Sequence, residues 1–112
     1  MGKSQRTKGH SFERKVAAQL REIFPDAKRH LEYQDGEAYG VDIANTGPFA
    51  IQCKKHRNYV SITKIFEVKD DSKIPVLVTA GDRLEAMAVL PFNEFLRLVK
   101  HGKLSNLDDK TD

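Results

Sequence analysis

The sequence has a single cysteine, Cys53, among its 112 residues. One thiol cannot form an internal disulfide, and a zinc site built from several cysteines is excluded as well. The four histidines are scattered and do not have the spacing of a metal site. Because Cys53 would share a strand face with Ile51, we predict a buried structural thiol in preference to a reactive one.

Long apolar segments are also missing. The longest run, residues 74–80, is far shorter than the roughly 20 residues that a membrane-spanning helix needs. Residues 1–10 are polar and basic with no hydrophobic segment behind them, unlike a secretory signal. We therefore expect an intracellular, cytoplasmic protein with no membrane partner.

The size of the chain limits it to one domain with a single modest core and no separate recognition domain. Its content of 39% hydrophobic and 31% charged residues is typical of a soluble globular protein. We predict a flexible basic arm over residues 1–9, a domain over 10–100 and a polar tail over 101–112. No internal repeat is present.

Positive charge is concentrated in two places, although the net charge is only +3. A solvated surface would explain either cluster alone. Two clusters, one of them directly after the polar hairpin described below, favour binding to phosphates. The clusters comprise Lys3, Arg6, Lys8, Arg14 and Lys15 near the start, and Lys54, Lys55, His56 and Arg57 in the middle.

Hydrophobic periodicity predicts the element order αβββαββα, with helices packed on a mixed sheet. The connection between the third and fourth strands is long enough for a parallel crossover, so the hairpin strands should be central and the last strand peripheral. The predicted elements are a helix over 11–24, strands over 27–33, 41–44 and 49–54, a helix from the Ser61 cap to Lys69, strands over 75–80 and 84–90, and a helix after Pro91 with the stripe Phe92, Phe95, Leu96 and Val99.

The predicted β-hairpin carries polar groups that a core does not need. Its two strands flank the turn-forming residues 45–48, yet they include Asp42 and Gln52, which are costly to desolvate. With the turn centred on Gly47, these two residues lie directly opposite each other. Cross-strand partners have Cβ atoms about 5 Å apart.

Lys54 lies one alternation step beyond Gln52, so it projects on the same face, where Gly40 leaves room. A carboxylate and an amide oxygen at this separation can share a hard cation such as Mg²⁺. A lysine beside them can assist an attacking water and offset charge on a phosphate. The alternative is a structural pair of Asp42 and Lys54 with Gln52 hydrogen-bonded nearby, although such buried pairs seldom stabilise more than apolar residues do.

Glu13 extends the apolar stripe of the first predicted helix, which contains Ala17, Leu20 and Phe24. It should therefore point toward the sheet. The alternative is an acid that complements the positive end of the helix dipole.

Together these residues resemble the PD-(D/E)xK nuclease superfamily. The matching pieces are a helical Ser11-Phe12-Glu13-Arg14, a first hairpin strand with Gly40-Val41-Asp42-Ile43, and a second with Gln52-Cys53-Lys54. The resemblance covers most of residues 9–100. It is most similar to small Holliday junction resolvases and to the catalytic domains of Mrr-type restriction endonucleases.

The resemblance implies a restriction-endonuclease-like core and a DNA endonuclease that requires Mg²⁺, for which Mn²⁺ substitutes. Glu13, Asp42, Gln52 and Lys54 would be catalytic, and the ion would be bound by Glu13, Asp42, Gln52 and the backbone carbonyl of Cys53. Phosphate contacts, which position DNA without reading sequence, would come from basic residues. These are Lys3, Arg6, Lys8, His10, Arg14, Lys55 and Arg57.

Two positions depart from the family pattern. Val41 stands in place of the proline, which is a tolerable change. Gln52 replaces the usual acid, which leaves Glu13 and Asp42 as the two carboxylates at the metal. Mrr-type members resemble this chain in having glutamine there.

Several functions remain open at this stage. The first is a Holliday junction resolvase that acts as a homodimer, because a nuclease without a recognition domain must select DNA by its shape. The second is a Mrr-like endonuclease on duplex DNA, and the third a non-catalytic DNA-binding module, which the glutamine favours. A fourth is an unrelated α/β protein with a structural polar hairpin. A dimer contact could use residues 92–99 or 84–90, which core packing explains equally well, and the small stand-alone form suits a phage enzyme.

Overall fold

The computed structural model describes residues 2–31 and 39–102, with side chains from residue 9 onward. Within these ranges the chain forms two α-helices, one 3-10 helix and five strands. In order they are α1 (Gly2–Leu20), β1 (Lys28–Arg29), β2 (Ile43–Ala44), β3 (Phe49–Lys55), the 3-10 helix η1 (Ile62–Glu67), β4 (Ile74–Ala80), β5 (Met87–Val89) and α2 (Phe92–His101).

The five strands form one mixed sheet in the order β1-β2-β3-β4-β5. β1, β2 and β3 are antiparallel neighbours, β3 and β4 are parallel, and β5 returns antiparallel to β4. A parallel pair needs a crossover connection, and η1 lies within it. The predicted mixed α/β fold is confirmed, as are the parallel crossover and the edge position of the last strand. The restriction-endonuclease-like core stays a prediction.

The core lies between α1 and one face of the sheet. Phe12, Val16 and Ala17 of α1 are buried in one cluster with Ile51 and Cys53 of β3. Since side chains alternate along a strand, Gln52 and Lys54 point to the opposite face. The prediction of a buried thiol is confirmed, and burial raises the pKa of Cys53.

The first helix is longer at its start than the sequence indicated. It begins at Gly2 rather than at Ser11, so residues 2–9 are helical where we predicted an irregular arm. The prediction depended on apolar spacing, and residues 2–10 contain no large apolar side chain that could continue the stripe. Lysine, arginine and glutamine nevertheless favour helix. The helix ends at Leu20, before the predicted end, and turns follow up to residue 26.

The crossover helix also differs from its prediction. Ser61 caps it as expected, because its hydroxyl accepts a hydrogen bond from the N–H of Thr63 at 3.3 Å. The helix is of the 3-10 type, and Ile65 is its buried residue. Three residues per turn carry Phe66 away from the side of Ile65, which leaves Phe66 75% exposed.

The last helix does not bury its apolar stripe. None of the residues of α2 is buried, and Phe92, Phe95, Leu96 and Val99 are exposed. Leu98, on another side of the helix, packs against the core. The interpretation of the stripe as core is therefore wrong for this helix.

Three strands are shorter than predicted. β2 covers only Ile43–Ala44 of the expected 41–44, so Asp42 lies outside it. β1 covers only Lys28–Arg29 of the expected 27–33, and residues 32–38 lie outside the described ranges. β5 covers Met87–Val89 of the expected 84–90, because Leu84 belongs to a turn in which its N–H bonds the carbonyl of Gly81. Of the tail predicted over residues 101–112, His101 is the last residue of α2 and Gly102 its C-cap, and residues 103–112 lie outside the described part. Of the helices that are described, none has both the length and the apolar character to cross a bilayer.

Candidate functional site

The hairpin has the register that the sequence predicted. Ile43 of β2 pairs with Ile51 of β3, as the predicted register requires. Asp42 lies just before β2, and its N–H donates to the carbonyl of Ile51 at 2.8 Å. The reversal is possible because Asn45 and Gly47 adopt positive φ angles of 65° and 60°. Asp42 therefore lies at the start of the hairpin, and Gln52 lies within β3.

The Asp42 side chain contacts the backbone of β3 and is only partly accessible to solvent. Its Oδ2 accepts a hydrogen bond from the backbone N–H of Cys53 at 2.7 Å. Burial raises the pKa of Asp42 to about 6, against the opposing effect of this hydrogen bond. The charge of Glu13 raises the pKa further, and Lys54 and His30 lower it. Charged groups from three other segments therefore act on the Asp42 carboxyl.

Glu13 points toward the sheet, as predicted, but it already has a partner. Its Oε1 accepts a hydrogen bond from Nε of Arg29 at 3.0 Å, and each side chain is less than one-fifth exposed, at 17% and 18%. Arg29 interrupts the apolar side of its strand in the sequence. The structure explains this position, because a base from β1 neutralises an acid from α1.

Gln52 and Lys54 meet at Glu67, a residue that the sequence analysis did not identify. Gln52 is 1% exposed, and its Nε2 donates to Oε1 of Glu67 at 3.1 Å. Nζ of Lys54 lies 3.4 Å from the same oxygen. A signal existed in the sequence, since an acid at the C-terminal end of a helix is unfavourable there unless another partner holds it.

His30 is a second residue near the site that the sequence did not single out, because the histidines lack the spacing of a metal site. Its backbone N–H donates to the carbonyl of Asp42 at 2.8 Å, and its charge lowers the pKa of the Asp42 carboxyl. No pattern in the sequence distinguished it from the other histidines.

The donors present fit a hard cation in type. Glu13, Asp42, the amide of Gln52 and the Cys53 carbonyl offer oxygen, which Mg²⁺ and Mn²⁺ prefer. The side-chain Oε1 of Gln52 is buried and has no hydrogen-bond partner among the described residues. An orphaned buried acceptor is uncommon in folded proteins, and a water or an ion is its usual partner. Within residues 2–31 and 39–102, no three His, Cys, Asp or Glu side chains are grouped closely enough to bind a metal by themselves.

The basic residues predicted to contact DNA separate into distinct places. Lys55 lines a cleft of about 580 Å³ with Ser11 and Lys15 of α1. Exposed Arg14 lies on a second cleft, of about 430 Å³, whose other basic residues are Arg21, Lys28 and Arg29. His10 is half-buried and Arg57 is exposed. The side chains of Lys3, Arg6 and Lys8 lie outside the described part.

In comparisons with known proteins, no family model, no curated protein and no solved structure matches this chain.

Proposed function

We propose that the protein is a metal-dependent DNA endonuclease of the PD-(D/E)xK type that cuts four-way junctions as a homodimer. The observation that supports the proposal is that Glu13 and Lys54 both act on the partly buried carboxyl of Asp42, which also accepts a hydrogen bond from the N–H of Cys53. Two acids that repel each other at a partly buried point have a reason to be there if a cation joins them. Lys54, whose charge lowers the pKa of Asp42, would offset charge on a phosphate bound here.

The roles of the side chains follow from their contacts. Asp42 and Glu13 would bind Mg²⁺ with the amide oxygen of Gln52 and the carbonyl of Cys53. The ion would supply Lewis acidity toward the scissile phosphate and lower the pKa of an attacking water. Lys54 would hold that water and offset charge on the phosphate as the P–O bond to the leaving oxygen breaks. The leaving oxygen takes up a proton from solvent.

The two clefts support a DNA-binding surface on both sides of α1. Lys15 and Lys55 line one, and Arg14, Arg21 and Lys28 line the other. Cations at such positions attract phosphates regardless of base sequence. A surface of this kind suits selection by DNA shape.

The exposed stripe of α2 supports a symmetric dimer. Phe92 is 70% exposed, Phe95 47% and Leu96 48%, and the spacing of the stripe puts them on one face of the helix. One chain carries one site, whereas resolving a junction requires a cut in each of two strands. A second copy of the chain that buries this face would supply the second site.

The second candidate is a non-catalytic DNA-binding module with the same fold. The Glu13–Arg29 ion pair favours it, because an acid already neutralised by a guanidinium is a poorer metal ligand. Gln52 in place of an acid favours it as well.

A cleavage assay separates these candidates. Labelled four-way junctions and matched linear duplex are incubated with the wild type and with Lys54→Ala, in Mg²⁺ or in chelator. We expect Mg²⁺-dependent cutting of the junction by the wild type and loss of cutting, with binding retained, in Lys54→Ala. Cutting of the duplex at an equal rate would indicate a Mrr-like enzyme. Binding without cutting in both proteins would indicate the binding module.

A further inference from the structure

Glu67 is the last residue of η1 and contacts two of the proposed catalytic residues. One carboxylate oxygen accepts from Nε2 of Gln52 at 3.1 Å and lies 3.4 Å from Nζ of Lys54. The other lies 3.2 Å from Nζ of Lys64. Two lysines therefore face the carboxylate, one at each oxygen.

This contact determines which way the Gln52 amide points. The amide nitrogen Nε2 of Gln52 donates to this carboxylate, so the NH₂ group faces Glu67. The amide oxygen is then turned away from Glu67. That oxygen is the buried atom without a partner among the described residues, and it is the atom that the proposed ion would use.

The backbone fixes Glu67 in this position. Gly40, two residues before Asp42 in the chain, has a φ of 85°. Its backbone packs so closely on the carbonyl of Glu67 and Cα of Val68 that an added Cβ would overlap them. The N–H of Lys69 donates to the carbonyl of Tyr39 at 2.8 Å. The end of η1 is therefore attached to the start of the hairpin, and the carboxylate is aligned by main-chain contacts on both sides.

We infer that Glu67 is a positioning residue of this site, which holds the Gln52 oxygen toward the ion and keeps Lys54 in place. Through its hydrogen bond to Gln52, Glu67 also brings a negative charge near the site, which the neutral amide of Gln52 does not carry. The inference depends on the proposed function, because it assigns Glu67 a task only if an ion binds. Residues that orient metal ligands in this way affect affinity for the metal without touching it.

Three variants test the inference: Glu67→Gln, Gln52→Glu and the double variant Gln52→Glu/Glu67→Gln. In Glu67→Gln the new amide can donate to the Gln52 oxygen, so the Gln52 amide is free to turn over. We expect Mn²⁺ affinity, measured by calorimetry without DNA, to fall about tenfold or more. Junction cleavage should fall with it. Gln52→Glu should be poorly folded, because it puts two carboxylates together.

The double variant Gln52→Glu/Glu67→Gln restores one acid and one amide in hydrogen-bonding distance. We expect it to regain the fold and to recover Mn²⁺ affinity at least to the wild-type value. Glu94→Gln, which removes an exposed acid paired with Arg97, is the matched control and should leave binding unchanged. In an NMR spectrum the side-chain NH₂ signal of Gln52 should shift in Glu67→Gln and not in Glu94→Gln.

The outcomes are distinguishable. If the wild type binds Mn²⁺ and Glu67→Gln binds it equally well, the inference is wrong and the proposed function stands. If the wild type neither binds Mn²⁺ nor cuts any DNA, the proposed function is wrong and the inference falls with it. Loss of binding in Glu67→Gln with recovery in the double variant supports both.

Discussion

The carboxylate of Glu13 and the guanidinium of Arg29 form an ion pair at 3.0 Å between α1 and β1. This contact brings one acid of the candidate site to the sheet while its charge is neutralised by a neighbour. A divalent ion at the site would compete with Arg29 for the same oxygen atoms. Arg29 is thus the residue whose removal best separates an ion-binding site from a structural pair.

Arg29→Gln should lower stability when metal is absent. It leaves Glu13 partly buried and without its base, near the charge of Asp42, and we expect a loss of about 1–3 kcal/mol in the free energy of unfolding. Saturating Mn²⁺ should restore more stability to the variant than it adds to the wild type, because Glu13 is free to bind. Thermal unfolding in EDTA and in Mn²⁺ measures both effects.

Arg97→Gln is the control for this experiment, since it breaks an exposed pair with Glu94 at 2.7 Å. Exposed pairs contribute about 0–1 kcal/mol, so we expect little change in either condition. If Mn²⁺ raises the stability of Arg29→Gln and of the wild type by the same amount, that result favours the binding module or the structural interpretation of the hairpin.

Asp42→Asn should stabilise the metal-free protein at alkaline pH. The pKa of Asp42 is raised from 3.8 to about 6, so folding opposes its ionisation. This cost is absent below pH 3.8, grows as pH rises to about 6 and is constant above that. A difference of about two pKa units corresponds to about 3 kcal/mol. Asparagine removes the cost and can still accept the hydrogen bond from Cys53.

Urea unfolding in EDTA at pH 4 and pH 8 tests this. The variant should exceed the wild type by up to about 3 kcal/mol at pH 8, with most of the difference gone at pH 4. If Asp42 were half of a structural pair with Lys54, the variant would instead be less stable at pH 8. The two interpretations of the hairpin therefore predict opposite signs.

Gly40→Ala should disturb the fold and the site together. A Cβ at this position would overlap the carbonyl of Glu67, and the φ of 85° disfavours any L side chain. We expect a loss of at least about 2 kcal/mol and weaker Mn²⁺ binding than in the wild type at a temperature where both are folded. Gly9→Ala is the control, because nothing lies within 4 Å of its added Cβ. If Gly40→Ala binds Mn²⁺ as tightly as the wild type does, the contact between the end of η1 and the start of the hairpin does not control metal binding.

Leu96→Glu should separate the dimer without unfolding the chain. The side chain is 48% exposed on the outer face of α2, so a charge there disrupts an interface and not the core. Light scattering after gel filtration should give twice the mass of one chain for the wild type and a single chain for the variant. Ile23→Glu, at an exposed residue outside α2, should remain dimeric. A monomeric wild type at every concentration would contradict the dimer.

The sequence predicted well the features that depend on regular side-chain spacing within one strand or one helix. The pairing of Ile43 with Ile51 follows from the turn centre and a period of two, and the structure has that register. The inward direction of Glu13 follows from helical spacing in the same way. Such local rules need no knowledge of the rest of the chain.

What depends on contacts between distant segments could not be predicted. Glu67 reaches Gln52 only because η1 is a 3-10 helix that ends against Gly40, and neither the helix type nor that contact has a sequence pattern. Arg29 appeared as an interruption of an apolar strand face because its partner lies on another element. The sequence could not predict that the apolar stripe of α2 is exposed, because such a stripe is equally consistent with a core face and with an interface.

The most direct test of the account is Mn²⁺ binding to the free protein at pH 7.5, measured by calorimetry for the wild type and Asp42→Asn. The account predicts binding by the wild type and a loss of at least about 100-fold in affinity in the variant, because a carboxylate ligand is replaced by a neutral amide. Absence of binding by the wild type at millimolar Mn²⁺, or equal binding by a folded Asp42→Asn, would contradict it.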